Sequence, residues 1–290
     1  MYAIIFYMKK LSLALKTMIK PCTKLIFSIL SSILSFQAMA ESKDCAHWWS
    51  DKAYIGIFGA AGSFKTNNIT QSGTALYTPP LSVNAQGDGS SDTFGMVGIQ
   101  VGYKWTNFLT QKENSAWSIL PATEIEGYYI NGTVNGGNLV NETDRLDLHT
   151  FSVSYPMNTG VFLLNGVFNL NNANYKKIQP YVGVGLGTAV VSIHGATSTQ
   201  TNPEEPGINH YNSDSDASDW TLAFQTKAGL NFNLANNTNV FLEYRFLSLS
   251  PTDYTFGSTQ YATHIPTTPW QVDMGTMYYN MAAMGIQYDL

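Results

Sequence analysis

The chain has 290 residues, of which only 12% are charged, with 15 Lys+Arg against 20 Asp+Glu, and it carries 24 Gly, 17 Tyr and 15 Phe. That acidic balance argues against a nucleic-acid partner, which calls for a basic face. A soluble domain of this length carries about 25% charge, and no apolar run after residue 40 reaches the roughly 20 residues of a membrane-spanning helix. Few charges, many aromatics and no helical span are the combination expected of a β-barrel embedded in lipid.

The first forty residues read as a leader. Lys9, Lys10, Lys16, Lys20 and Lys24 precede the apolar run LIFSILSSILSF and then Ala38-Met39-Ala40. Basic, apolar and small residues in that order form a secretory signal peptide, with cleavage expected after Ala40. Met18 is an alternative start, because the stretch before it adds nothing that a signal requires. Cleavage would leave 10 basic residues against 20 acidic ones from Glu41 onward. It would also discard Cys22, so Cys45 has no partner for an intrachain disulfide. Cys45 follows Ser-Lys-Asp, which is not the apolar and small context of a lipidated cysteine. Residues 41–52 are read as a short periplasmic segment and 53–290 as the barrel.

AYIGIFGAAGSF (53–64) is the first alternating segment, and a polar stretch to Ser91, read as a loop, follows it. TFGMVGIQVGYKW (93–105) sets Val97, Ile99, Val101, Tyr103 and Trp105 against Gly98, Gln100, Gly102 and Lys104. After TQKENS come WSILPATEIEGYYING (117–132) and a long segment over about 146–170, in which Pro156 and Gly160 mark either a bulge or an extra turn. PYVGVGLGTAVVSIH (180–194) precedes a long loop to Asp219. WTLAFQTKAGLNFNL (220–234) and NVFLEYRFLSL (239–249) are separated only by ANNT, and a last loop through Pro266 and Pro269 leads to MAAMGIQYDL. A side-chain period of two marks all of these as strands.

Connections alternate between long and short, and the strand count is about eight. Outer-membrane barrels sort their connections this way, with short periplasmic turns and longer extracellular loops. In each strand one row is apolar and the other is polar or glycine. The polar row has too few charges for a good water-facing surface, so the apolar rows are expected to face lipid. Gln100, Lys104, Glu124, Glu126, Lys227, Glu243 and Arg245 would then line the interior in pairs, since an unpaired buried charge costs several kcal/mol. Tyr103, Trp105, Trp117, Tyr128, Tyr129, Tyr181, Trp220, Tyr278, Tyr279 and Tyr288 lie near segment ends and are expected to form interfacial girdles.

PYVGVGLG (180–187), FQTKAGLNFNLANNTNVFLEYRF (224–246) and the terminal strand with Tyr288 resemble the OmpA-like and opacity-type outer-membrane barrel family, including bacterial surface antigens. The resemblance implies an all-β, transmembrane, antiparallel up-and-down barrel of about eight strands. It also implies outer-membrane lipid and lipopolysaccharide as surroundings, and recognition of the last strand by the barrel-assembly machinery. That strand ends in Leu290 where the family usually has Phe.

No catalytic, cofactor-binding or metal-binding residue is assigned. His149, His194, His210 and His264 fall at loop ends, where a His–Ser–acid set is conceivable, but no triad follows from spacing. SDSDASD (213–219) brings Asp214, Asp216 and Asp219 close together, yet lacks the Gly turn and distal Glu of a calcium loop. Asn68, Asn131, Asn141 and Asn236 sit in N-x-T sequons, which mean little in a bacterial outer membrane. GVGLG is a strand motif and opens no helix, so it is not a phosphate cradle. An eight-stranded interior is just filled by side chains, so an open pore is not expected. The reading is a surface-exposed structural barrel whose loops are free for an extracellular ligand; a lipid-modifying enzyme using loop histidines and a narrow pore are the alternatives.

Overall fold

The structure, a computed structural model, describes residues 52–106, 110–111, 115–141, 149–175, 177–235 and 237–290. The expected signal peptide, both cysteines and Asn236 lie outside the described residues. Among these residues no helix is long and apolar enough to cross a membrane.

The described residues form twelve strands: β1 (Ala53–Ala75), β2 (Leu81–Lys104), β3 (Thr110–Gln111), β4 (Trp117–Asn141), β5 (Thr150–Asn172), β6 (Ile178–Ile193), β7 (Thr197–Asn202), β8 (Ala217–Ala235), β9 (Thr238–Leu249), β10 (Thr252–Phe256), β11 (Trp270–Met274) and β12 (Met277–Asp289). Eight of them pair in a ring, β1–β2–β4–β5–β6–β8–β9–β12, and β12 returns to β1, every pairing antiparallel. At the closure Ile57 faces Ile286 on one side and Ile99 on the other.

The long connections are not simply loops. β1 and β2 run on through 65–91 and stay paired to Ala75↔Leu81, with register shifts at Gly62/Phe64 and Thr66/Ile69. The stretch read as a loop is therefore the upper half of a hairpin. The expected loop to Asp219 contains β7, and the last loop contains β10 and β11. Where β6 leaves β5, β7 takes its place along Thr150–Ser154; where β12 leaves β1, β11 takes its place along Ile69–Ser72. Above the ring this makes an open sheet, β10–β11–β1–β2–β4–β5–β7, here called the crown.

The segment over 146–170 resolves as one strand. Pro156 and Gly160 lie inside β5, whose register with β4 is unbroken from Trp117↔Asn172 to Gly136↔Val153. Pro156 lacks a donor, and a strand tolerates that only where no ladder bond is due. Its carbonyl accepts from the His194 N–H at 3.1 Å, so its nitrogen faces the gap between the β6 and β7 ladders.

The two levels sort their side chains in opposite senses. In the lower ring Val184, Leu186, Leu222, Leu230 and Leu242 point outward, with Leu222 71% exposed, while Glu243 and Arg245 are buried inside. In the crown Lys65, Asn67, Asp88, Asn131, Asn135 and Ser152 are exposed, and Phe64, Ile69, Leu139, Phe151, Tyr155 and Trp270 form a buried core. The expectation of a polar interior therefore holds for the lower ring and is reversed in the crown. The expected girdle also divides. Trp105, Trp117, Tyr129, Trp220 and Tyr288 are exposed, whereas Tyr128, Tyr181 and Tyr279 are buried inside.

Candidate functional site

Two clusters combine charge with burial. The first fills the lower ring. A period of two puts Glu124 and Glu126 of β4, Gln225 and Lys227 of β8, and Glu243 and Arg245 of β9 on inner faces, and all six are buried. Arg245 grips Glu126 through both terminal nitrogens at 3.0 Å each, and its Nε donates to Glu243. Lys227 Nζ donates to Glu126 Oε1 at 2.6 Å and also to Glu124. The remaining carboxylate oxygens are served by Tyr54 OH on Glu124 at 2.8 Å and Tyr181 OH on Glu243 at 2.7 Å. Gln225 Nε2 donates to Glu126 at 2.8 Å and its carbonyl accepts from Tyr128 OH at 2.9 Å, while the Arg245 guanidinium lies 4.0 Å from the Phe58 ring centroid. Charged, two-toothed hydrogen bonds of this kind are the strong ones.

The glycine row makes room for this plug. A Cβ on Gly102 would fall in the Tyr54 ring, and one on Gly229 would sit 2.7 Å from the Tyr181 hydroxyl. The space left beside the network, lined by Tyr54, Gln100, Lys104, Glu124, Tyr181 and Lys227, is about 10 Å³. That holds about one water molecule. Nearer the turn end, Lys104 pairs with Asp289 at 2.7 Å. The expected interior pairing is present, and its chemistry is that of a bolt.

The second cluster lies in the crown, where Glu205, His210 and His264 meet. The segment 203–216, between β7 and β8, supplies Glu205 and His210; the segment 257–269, between β10 and β11, supplies His264. His210 is buried, edge-on to Phe151 and Trp270, and burial pushes its imidazole toward the neutral form. Its Nδ1 lies 3.0 Å from the Ser198 carbonyl, and His264 Nδ1 lies 2.6 Å from that of Ile265. Both Nε2 atoms face Glu205 Oε2, at 3.6 Å for His210 and 3.3 Å for His264. That oxygen is buried and accepts no hydrogen bond from the described residues.

The other candidates from the sequence stay apart. His194 contacts Asp216 at 3.4 Å, with both side chains exposed. Asp216 Oδ1 accepts from the Gly195 N–H, Asp214 from the Asp216 N–H, and Asp219 from the N–H groups of Trp220 and Asp253. The three aspartates thus satisfy separate backbone donors and do not converge on a calcium site. No convincing catalytic site is present among the described residues: His210 and His264 both turn Nε2 to Glu205 and not to a nucleophilic hydroxyl. Glu205 was not singled out in the sequence. It stands five residues before His210, but nothing in the spacing announces His264.

The pattern of a family described as "Surface antigen" matches residues 157–289, a little under half of the chain. No curated protein sequence matches. Among solved structures, the chain is similar to Neisserial surface protein A (12% identity, TM-score 0.35, 82% of this chain and 97% of that one). It is also similar to the outer membrane protein OprG of Pseudomonas aeruginosa (14%, 0.41, 83% and 98%) and to the outer membrane protease OmpT of Escherichia coli (7%, 0.42, 83% and 97%). TM-scores this low carry no argument about activity.

Proposed function

We propose that this protein is an integral outer-membrane β-barrel that presents its crown at the cell surface, as a surface antigen or adhesin-like platform. The signal peptide would be cleaved after Ala40, the short turns would lie in the periplasm, and lipid and lipopolysaccharide would surround the lower ring. Strand β12 would carry the signal for the barrel-assembly machinery, and an extracellular ligand would meet the crown. The surface-antigen match over 157–289 supports the surface role, and the finer likeness to OmpA-like and opacity-type barrels rests on the strand sequences alone.

The observation that carries the reading is the closed ring of outward apolar side chains wrapped around a buried charge network. Apolar residues outside and polar ones inside suit hydrocarbon and would be a poor solution in water. The network fills the ring, which disfavours a pore.

Surface labelling tests the topology. In a Cys45→Ser background, Ser152→Cys in the crown should react with a membrane-impermeant maleimide on intact cells. Asn174→Cys in a short turn should react only after lysis. Labelling of both on intact cells, or of neither, would overturn the assignment.

A further inference from the structure

We infer that Glu205, His210 and His264 form a binding site for a divalent first-row transition-metal ion, zinc being the natural probe, which clasps the two crown segments 203–216 and 257–269 together. The three side chains come from two segments and place their ligand atoms within 4.8 Å of one another.

The hydrogen bonds around the cluster set the direction of each lone pair. Each histidine spends its Nδ1–H on a backbone carbonyl, Ser198 for His210 and Ile265 for His264. That arrangement fixes the tautomer of a metal-ligating histidine and leaves Nε2 free to coordinate. Both Nε2 atoms are aimed at one carboxylate oxygen that has no donor of its own. Three lone pairs facing one another repel unless a cation lies between them.

The distances suit the ion. Atoms bound at about 2.0–2.1 Å to a tetrahedral zinc stand roughly 3.3 Å apart; the two edges to Glu205 are 3.3 and 3.6 Å, and the edge between the histidines, within 4.8 Å, would close on binding. Two imidazoles and one carboxylate make a borderline-soft set that suits zinc and its neighbours and not magnesium or calcium. Burial is graded across the site: the His210 side chain is 3% exposed, His264 17% and Glu205 32%. A fourth ligand could therefore be water on the Glu205 side.

The two segments already touch through weaker links. Thr259 Oγ1 donates to the His210 carbonyl at 3.0 Å, and the Asn212 side chain exchanges bonds of 2.9 and 2.8 Å with the backbone of Gln260. The metal would add a coordinate crosslink where the edge strands of the crown, β7 and β10, lack a shared ladder.

The test uses the full chain, folded in detergent and dialysed against a chelator. Calorimetric titration with zinc should give one site per chain, and Co²⁺ should give the visible bands of tetrahedral coordination. Zinc should also raise the melting temperature. His264→Ala and Glu205→Gln should each weaken binding by more than about 100-fold, beyond the 10- to 100-fold typical of changes behind the ligands, and should abolish the melting shift. His264 is partly exposed, so its variant tests the site even if His210→Ala fails to fold. His194→Ala should bind as the parent does. Binding that survives His264→Ala or disappears with His194→Ala would overturn the inference. So would a cluster whose stability follows pH alone and ignores zinc, because it would then be a protonated histidine–carboxylate pair.

Discussion

The lower ring and the crown are built from the same strands, yet they sort their side chains oppositely. In β4, Ile125 faces out and Glu124 and Glu126 face in; nine or ten residues on, Asn135 faces out and Val134 faces in. The register with β5 continues unbroken between the two positions. What changes along the strand is the character of the outer face, and the inner face changes with it. Where the outer face is apolar, the interior is free to hold charges as long as they are paired. Where the outer face is polar, the interior must supply the hydrophobic core that water then enforces.

The largest effect should come from breaking the bolt. Arg245→Met leaves Glu243 buried without its cation and Glu126 with Lys227 alone, a loss of about 3–5 kcal/mol. The midpoint of urea unfolding in micelles should fall accordingly, and an unchanged midpoint would mean that the network does not hold the ring. Trp270→Ala removes a fully buried ring from the crown core and should cost about 3–5 kcal/mol. Its consequences should be local. Hydrogen exchange should rise in β10, β11 and the top of β1, while the lower ring keeps its protection. If both levels loosen together, the crown is not a separate cooperative unit.

A charge placed on each outer face sharpens the contrast directly. Leu186→Arg in the lower ring should cost about 2–4 kcal/mol in a bilayer. Asn135→Arg in the crown should stay within about 0.5 kcal/mol. Equal costs at the two sites, measured by refolding into lipid vesicles, would remove the basis for a membrane-facing band.

The smallest effect concerns Asp216, whose carboxyl the Gly195 N–H and then His194 hold below its ordinary range. The stability it adds is present above the unfolded value, about 3.9, and is lost as pH falls through the lower folded value. Asp216→Asn should flatten the acid limb of the stability curve slightly. It should leave stability near neutral pH almost unchanged, because the pair is exposed.

Much of the lower ring was legible in the sequence because one rule covers it. An apolar outer face and a narrow lumen force a strict period of two. Alternation sorted Val184, Leu230 and Leu242 into one row and Glu243 and Arg245 into the other, and the scarcity of charge in the polar rows set which one faced out. The crown was not legible for the same reason. Its outer row, as in Lys65, Asn67 and Ser90, is polar, and bulges at Gly62/Phe64 and Thr66/Ile69 shift the phase of the inner one. A polar stretch with broken alternation reads as loop. Tyr128, Tyr181 and Tyr279 were placed in the girdle because an aromatic near a strand end looks the same whichever way it points. Tyr181 and Tyr128 turn inward to Glu243 and Gln225, and Tyr279 packs inward against Phe64 and Phe94.

By itself the sequence determined the all-β class, the strands of the ring and the identity of the charges that would have to pair, because alternation is a local property of the chain. Only the tertiary structure decided which carboxylate meets which cation, that β7 and β11 replace β6 and β12 above the ring, and that His264 comes to lie against Glu205 and His210. Those outcomes depend on closure and register between strands far apart in sequence, and no spacing within one segment encodes them.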